Sequence, residues 1–278
     1  MDYVALHVAC TDSEQAEILT AWLSDLPFES FETTPDELVA YLPAPHLEAC
    51  RARIDALLAR EGLAGRYERI DARNWNAAWE SDYPRVEVEG RLVIRAPFHA
   101  PATDAATEVV VQPRMSFGTG HHATTWLMAR EVLDMGVAGL RGLDMGSGTG
   151  VLAITAAKCG AAHVDAVDID EWADESCRES VAMNGVGERV EPLLGDIDRV
   201  AGRRYDFILA NINRNILTAH MPAYAAALTE GGRLAMSGFL EEDVPAVVAA
   251  ARAEGLDHVA TRQRDGWMLV LARKPWQA

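Results

Sequence analysis

The sequence predicts an α/β protein in two parts, a small α+β domain followed by a larger domain on a mostly parallel, doubly wound sheet. Three observations carry this reading. Gly142 to Asp170, GLDMGSGTGVLAITAAKCGAAHVDAVDID, runs strand, glycine turn, Ala-rich helix, strand, acid, which is a βαβ unit. Beyond it, strand-like and helix-like runs alternate to the C-terminus. Before it, residues 1–72 follow the order β-α-β-β-α-β. A chain of 278 residues exceeds one average domain, and an apolar content of 49% is ample for two cores.

Tyr3 to Ala9 alternates as a strand does. A helix follows from Asp12 to Leu26, with Thr11 or Asp12 to cap it and Ala16, Leu19, Leu23 and Leu26 at helical spacing. Phe28 to Glu32 and Glu37 to Leu42 read as a strand pair around Thr34-Pro35-Asp36. Pro45 to Arg60 is a second helix, with Leu47, Ile54, Leu57 and Leu58 on its apolar face. Glu61-Gly62 ends it, and Arg66 to Ile70 is the last strand. This order is ferredoxin-like. Residues 1–72 hold 14 acids against 5 basic residues and no catalytic constellation, so a substrate-recognition role is expected for them.

Asn74 to Pro84, NWNAAWESDYP, is a connector; if it is helical, Trp75 and Trp79 share a face, either packing between domains or stacking a ligand. Arg91 to Pro97 and Thr107 to Gln112 look like entrance strands. The expected division is therefore 1–72, a linker and entrance strand over 73–106, and a catalytic domain over 107–278.

Within the βαβ unit, glycines let the backbone approach a ligand closely, and Asp168, 22 residues after Gly146, can accept both hydroxyls of a ribose. The spacing separates two cofactor classes. A dinucleotide site, G-x-G-x-x-G, would put its third glycine at position 151, where Val151 stands. The pattern led by Asp144 is D-x-G-x-G-x-G, the form of S-adenosylmethionine (SAM) methyltransferases, which makes Gly146 and Gly148 candidate cofactor contacts. The alternative is a tight turn in a ligand-free domain.

Met115 to Thr125, MSFGTGHHATT, is a glycine loop leading into a helix over Thr124 to Leu133. Its threonines can cap that helix or touch a polar ligand. His121 and His122 have no carboxylate or cysteine at ligand spacing, so structural histidines and no metal site are expected. A helix over Glu171 to Asn184 and a strand over Val190 to Leu194 follow the βαβ unit. Asp196 beyond that strand can meet an adenine edge or serve as a solvated turn residue. The next strand, Tyr205 to Ala210, ends in Asn211, placed either to face a substrate nucleophile or to form an Asx turn. A helix (Asn215 to Leu228), a strand (Arg233 to Gly238), a helix (Glu241 to Glu254) and a strand pair (His258 to Arg264, Trp267 to Ala272) complete the domain. An antiparallel last hairpin fits a seven-stranded, Rossmann-like SAM-dependent methyltransferase domain.

Composition excludes several classes. No run of about 18 apolar residues suggests a membrane span. The N-terminus lacks the basic and apolar regions of a signal peptide, so a cytoplasmic location is expected. Cys10, Cys50, Cys159 and Cys177 form no CxxC pair and read as reduced thiols. A net charge of −17 disfavours a nucleic-acid backbone and favours a basic partner. Only Lys158 and Lys274 are lysines; the other 23 basic residues are arginine.

Together FGTGHHATT, DMGSGTGVLAI, VDID and ANI resemble the PrmA family, bacterial methyltransferases that modify protein eleven of the large ribosomal subunit. The similarity spans essentially the whole chain, and FGTG-x-H-x-TT is its narrowest motif. The resemblance implies that Thr125, Gly146, Asp168 and Asn211 contact SAM, and that Phe117 lies near cofactor and substrate lysine. It makes His122, not His121, the family histidine. It also implies trimethylation of lysine ε-amines and of the N-terminal α-amine of protein eleven. A monomer without membrane or direct nucleic-acid partners is expected. Asn213, where the family often has an apolar residue, departs from the pattern and bears on the substrate pocket. Two alternatives stand beside this: a lysine methyltransferase with another protein target, and a SAM-binding module without turnover.

Overall fold

The computed structural model describes residues 3–10, 13–24, 26–34, 37–70, 84–102, 107–112 and 122–276. Trp75, Trp79, Phe117 and His121 lie outside these. The chain divides into two compact units, Met1–Tyr83 and Pro84–Ala278, so residues 84–106, read as part of a linker, belong to the second unit.

The first unit contains β1 (Tyr3–Ala9), α1 (Ser13–Leu23), β2 (Ser30–Thr33), β3 (Glu37–Pro43), α2 (Ala44–Arg60) and β4 (Gly65–Ile70). Its antiparallel sheet has the order β2-β3-β1-β4. Strand alternation sends Val4, Leu6 and Val8, with Leu38, Ala40 and Leu42 opposite them, into a core closed by Leu19, Leu23, Ile54 and Leu58. The helix expected to reach Leu26 stops at Leu23. A turn closed by Leu26 N–H on the Leu23 carbonyl (2.9 Å) still carries Leu26 into the core.

The second unit opens with a three-stranded sheet, β5 (Val86–Val88), β6 (Leu92–Arg95) and β7 (Thr107–Val110). Sequence reading missed β5. It is three residues long, and its hairpin turn places Glu89 and Gly90 at φ 51° and 65°, a conformation that asparagine or glycine would have signalled and glutamate does not. Then come α3 (Ala123–Met135), β8 (Arg141–Met145), α4 (Val151–Lys158), β9 (His163–Asp168), α5 (Glu171–Asn184) and β10 (Val190–Leu194). β11 (Tyr205–Asn211), α6 (Arg214–Ala227), β12 (Leu228–Leu240), α7 (Val244–Ala253), β13 (Asp257–Arg264) and β14 (Trp267–Arg273) follow. The helix expected over 241–254 splits into a 3-10 turn and α7. Pro245 lacks an N–H and is tolerated only in a helix's first turn, so α7 starts beside it.

The main sheet has the order β10-β9-β8-β11-β12-β14-β13, with β14 antiparallel to both its neighbours. Along β11, Phe207 and Leu209 enter the core beneath α3 and α4, while Ile208 and Ala210 enter the one beneath α6 and α7. A strand buried on both faces reads as a continuous apolar run, which is why FILA stood out. From β8 the chain winds outward through β9 and β10, then returns to the other side of β8 as β11. The carboxyl ends of β8 and β11 therefore open a crevice, the usual ligand position in such sheets.

Candidate active site

A cavity of about 500 Å³ occupies that crevice. Its floor is the turn after β8. Gly146 and Gly150 have φ of 73° and 76°; a Cβ on the first would meet the Ile212 side chain, and one on the second would lie 2.5 Å from Cys177 Sγ. Asp144 ties strand to helix, its Oδ2 accepting from Ala153 N–H in the first turn of α4 at 3.0 Å. The carboxyl is fully buried and its Oδ1 has no partner among the described residues. Burial, against the help of the Ala153 N–H, pushes its pKa up to about 7.

A testable pH dependence follows. The folded state keeps this proton to higher pH than the unfolded chain, so stability falls as pH rises from the ordinary carboxylate range to about 7 and stays lower above it. Asp144→Asn removes the titration and keeps an oxygen for Ala153. Its stability relative to the parent is expected to grow by about 2–3 kcal/mol between pH 5 and pH 8. Urea unfolding at the two pH values checks this; a constant difference would contradict it.

Asp168, at the tip of β9, accepts from Gly148 N–H (2.9 Å) and Asp170 N–H (3.1 Å). Gly195 N–H bonds the Asp168 carbonyl at 2.8 Å, drawing the loop after β10 toward the same edge. There Asp196 accepts from Ile197 N–H at 2.7 Å and lies 3.6 Å from His220 Nε2, so it lines the cavity and holds a turn at once. Ile169 and Ile216 flank this end and are 68% and 38% exposed, apolar surfaces available to a flat ring. Sequence reading named neither. The position of Ile169 directly after the strand-tip acid was the available signal.

Across the cavity stand Asn211, Thr125, His122 and Trp267. Asn211 ends β11 opposite Ser237, and the Ile212 N–H bonds the Ser237 carbonyl at 3.1 Å. The turn role falls to Asn213, whose Oδ1 accepts from Ile216 N–H at 3.1 Å as the cap of α6. The residue that departs from the family pattern is thus a helix cap that also lines the cavity. His122 caps α3, its Nδ1 2.8 Å from Thr124 Oγ1, in keeping with a structural histidine. Thr125 lines the cavity with its hydroxyl buried and without a partner among the described residues. A buried hydroxyl left unsatisfied is costly, so this one fits a polar ligand group.

Among the described residues, His163, Asp165 and Glu191 come close enough to share a metal. Arg203 already stands there, 2.8 Å from Asp165, and the Tyr205 hydroxyl donates to the same carboxylate at 2.5 Å. Burial alone would raise the Asp165 carboxyl, but Tyr205, Arg203 and His163 outweigh it and hold it below the usual carboxylate range.

The strand order, glycine turn and strand-tip acid define an α/β methyltransferase fold. The chain matches the family described as Ribosomal protein L11 methyltransferase (PrmA) over residues 3–275. It is 42% identical over 258 residues to the ribosomal protein L11 methyltransferase of Porphyromonas gingivalis, covering 90% of this chain and 88% of that one. The protein of the same name from Chlorobaculum parvum is 35% identical over 94% of this chain and 93% of its own. The crystal structure of ribosomal protein L11 methylase from Lactobacillus delbrueckii subsp. bulgaricus superposes with a TM-score of 0.61 at 26% identity, covering 69% of this chain and 98% of that chain. A methyltransferase from Pyrococcus furiosus, 16% identical with a TM-score of 0.51, shares the fold. The chain belongs to the ribosomal protein L11 methyltransferase (PrmA) family.

Proposed function

We propose that the cavity binds SAM and that the chain transfers methyl groups to amines of ribosomal protein L11. The observation that carries this is one cavity with Asp168 on one bank, Asn211 and the orphaned Thr125 hydroxyl on the other, and the glycine turn between them. These residues fit the cofactor. Asp168 would hold the ribose hydroxyls, Asp196 the adenine edge, the Gly146 to Gly148 backbone the centre, and Thr125 a polar group of the methionine portion. Asn211 would lie between that portion and the incoming amine, and the family resemblance gives Phe117 a place near cofactor and substrate lysine.

Bound there, SAM would supply a methyl group made electrophilic by its sulfonium: the amine lone pair forms the N–C bond as the C–S bond breaks, its electron pair stays on sulfur, and the nitrogen releases one proton. The chain's task is alignment and desolvation. A lysine amine with an ordinary pKa of about 10.4 must arrive neutral. The described residues at the Asn211 end include no carboxylate to hold it protonated, and the Asn211 carbonyl can accept one of its hydrogens. Lysine ε-amines and the N-terminal α-amine are the amines in this reading. A ribosomal protein as substrate makes the cytoplasm the place of action.

Intact-mass spectrometry of large-subunit ribosomal proteins from a strain lacking the gene, before and after incubation with the protein and SAM, tests this. Gains in steps of about 14 Da on L11 alone are expected. Gains on another protein, or none with SAM bound, would contradict it.

A further inference from the structure

The cavity lining divides by chemistry. Among the described residues its only two carboxylates, Asp168 and Asp196, belong to the β9 and β10 edge. The opposite end, where β11, β12 and β14 meet the cavity, offers Asn211, Gly238, His122 and Trp267. Trp267 is the first residue of β14, two strands along from β11, and pairs with Leu240 of β12. Its ring centroid lies 4.6 Å from that of His122, with the planes at 66°. His122 is held in turn by capping α3. The indole is half-buried with the His122 ring against it, so an aromatic side chain lines the cavity at the end where Asn211 stands.

We propose that Trp267 is a specificity-determining residue: its indole receives the substrate nitrogen as an alkylated ammonium and retains partly methylated amines for further transfer. The inference rests on reading the cavity as an amine methyltransferase site. A carboxylate would grip an ammonium through its N–H groups, a hold that weakens as methyl groups replace them. An indole attracts the cation through its π system and asks for no N–H donor. Each transfer replaces an N–H with an N–CH₃, and the nitrogen sheds a proton to water before the next. The hold of the Asn211 oxygen therefore weakens as methylation proceeds, while that of the indole does not. The final quaternary nitrogen has no proton to lose and leaves as a permanent cation.

The test titrates the full chain, with S-adenosylhomocysteine bound, with Nα-acetyl-lysine amides carrying zero to three Nε-methyl groups. Calorimetry and the Trp267 indole NMR signal read the binding. The parent is expected to bind the trimethyl compound roughly fivefold or more tighter than the unmethylated one, Trp267→Phe to keep part of that preference, and Trp267→Leu to lose it. With L11 and excess SAM, Trp267→Leu should accumulate mono- and dimethylated forms where the parent proceeds further. Equal affinities along the series in the parent would overturn the proposal. So would a Trp267→Leu enzyme that slows every transfer evenly without changing the product distribution. If Trp267→Leu fails to fold, judged by circular dichroism and urea unfolding, the parent series and Trp267→Phe decide. A parent that prefers the trimethyl compound yet leaves L11 unmodified would remove the substrate reading and keep the indole site. One that methylates L11 without that preference would do the reverse.

Discussion

Replacing Asp168 with alanine is expected to weaken S-adenosylhomocysteine binding by about 10²–10³-fold while the fold survives. The carboxylate does two things at once. It accepts from Gly148 and Asp170 N–H at 2.9 and 3.1 Å, which shapes the glycine turn, and it faces the cavity where a ribose diol would donate to its remaining lone pairs. Hydrogen bonds to an ionised acceptor are worth about 1.5–3 kcal/mol each, and alanine supplies none of them. The core clusters do not include Asp168, so the fold should survive, while loss of the Gly148 and Asp170 N–H bonds lowers the unfolding midpoint. Asp168→Asn keeps an oxygen for one backbone N–H and should fall between the two. Calorimetric titration measures all three proteins. A loss of less than tenfold in the alanine variant would mean that the ribose is held elsewhere.

The second large effect belongs to Asn211. Asn211→Ala is expected to lower the rate of methyl transfer by about 10²–10³-fold, with S-adenosylhomocysteine affinity changing less than about tenfold. The side chain stands at the end of a strand paired on both sides, beside a backbone bond from Ile212 to Ser237 of 3.1 Å. The backbone that carries its amide is therefore held in place before any substrate arrives, and positioning is most of what this reaction needs. Rapid-quench measurement with labelled SAM separates the transfer step from binding. Equal losses in affinity and rate would reduce Asn211 to a cofactor contact.

The difference between Asn211 and Asn213 shows how far the sequence could be read. From Asn211-Ile212-Asn213 alone, either asparagine can make the turn and either can face the ligand. The strand decides, because β11 runs through Asn211 and α6 begins at Arg214, leaving position 213 to cap. The glycine turn, Asp144 and Asp168 were legible because their spacing along the chain is set by one strand, one turn and one helix. Trp267, His220 and Ile216 were not. They reach the cavity from β14 and α6, and local spacing carries no record of which distant elements the sheet order brings together. The ends of β12 and α7 were misjudged for local reasons. β12 extends back through Gly231 and Gly232 to Leu228, where glycines argue against a strand, and Pro245 forces α7 to begin later than its apolar spacing suggests. In the first unit, β1 and β3 were clear because each alternates over seven residues, long enough for the period to show.

The most direct test of the central claim is a crystal structure of the chain with S-adenosylhomocysteine. The ribose hydroxyls are expected on the Asp168 carboxylate, adenine between Ile169 and Ile216, and the sulfur facing Asn211. An adenosine bound away from Asp168, or a sulfur facing Asp196 instead of Asn211, would contradict it.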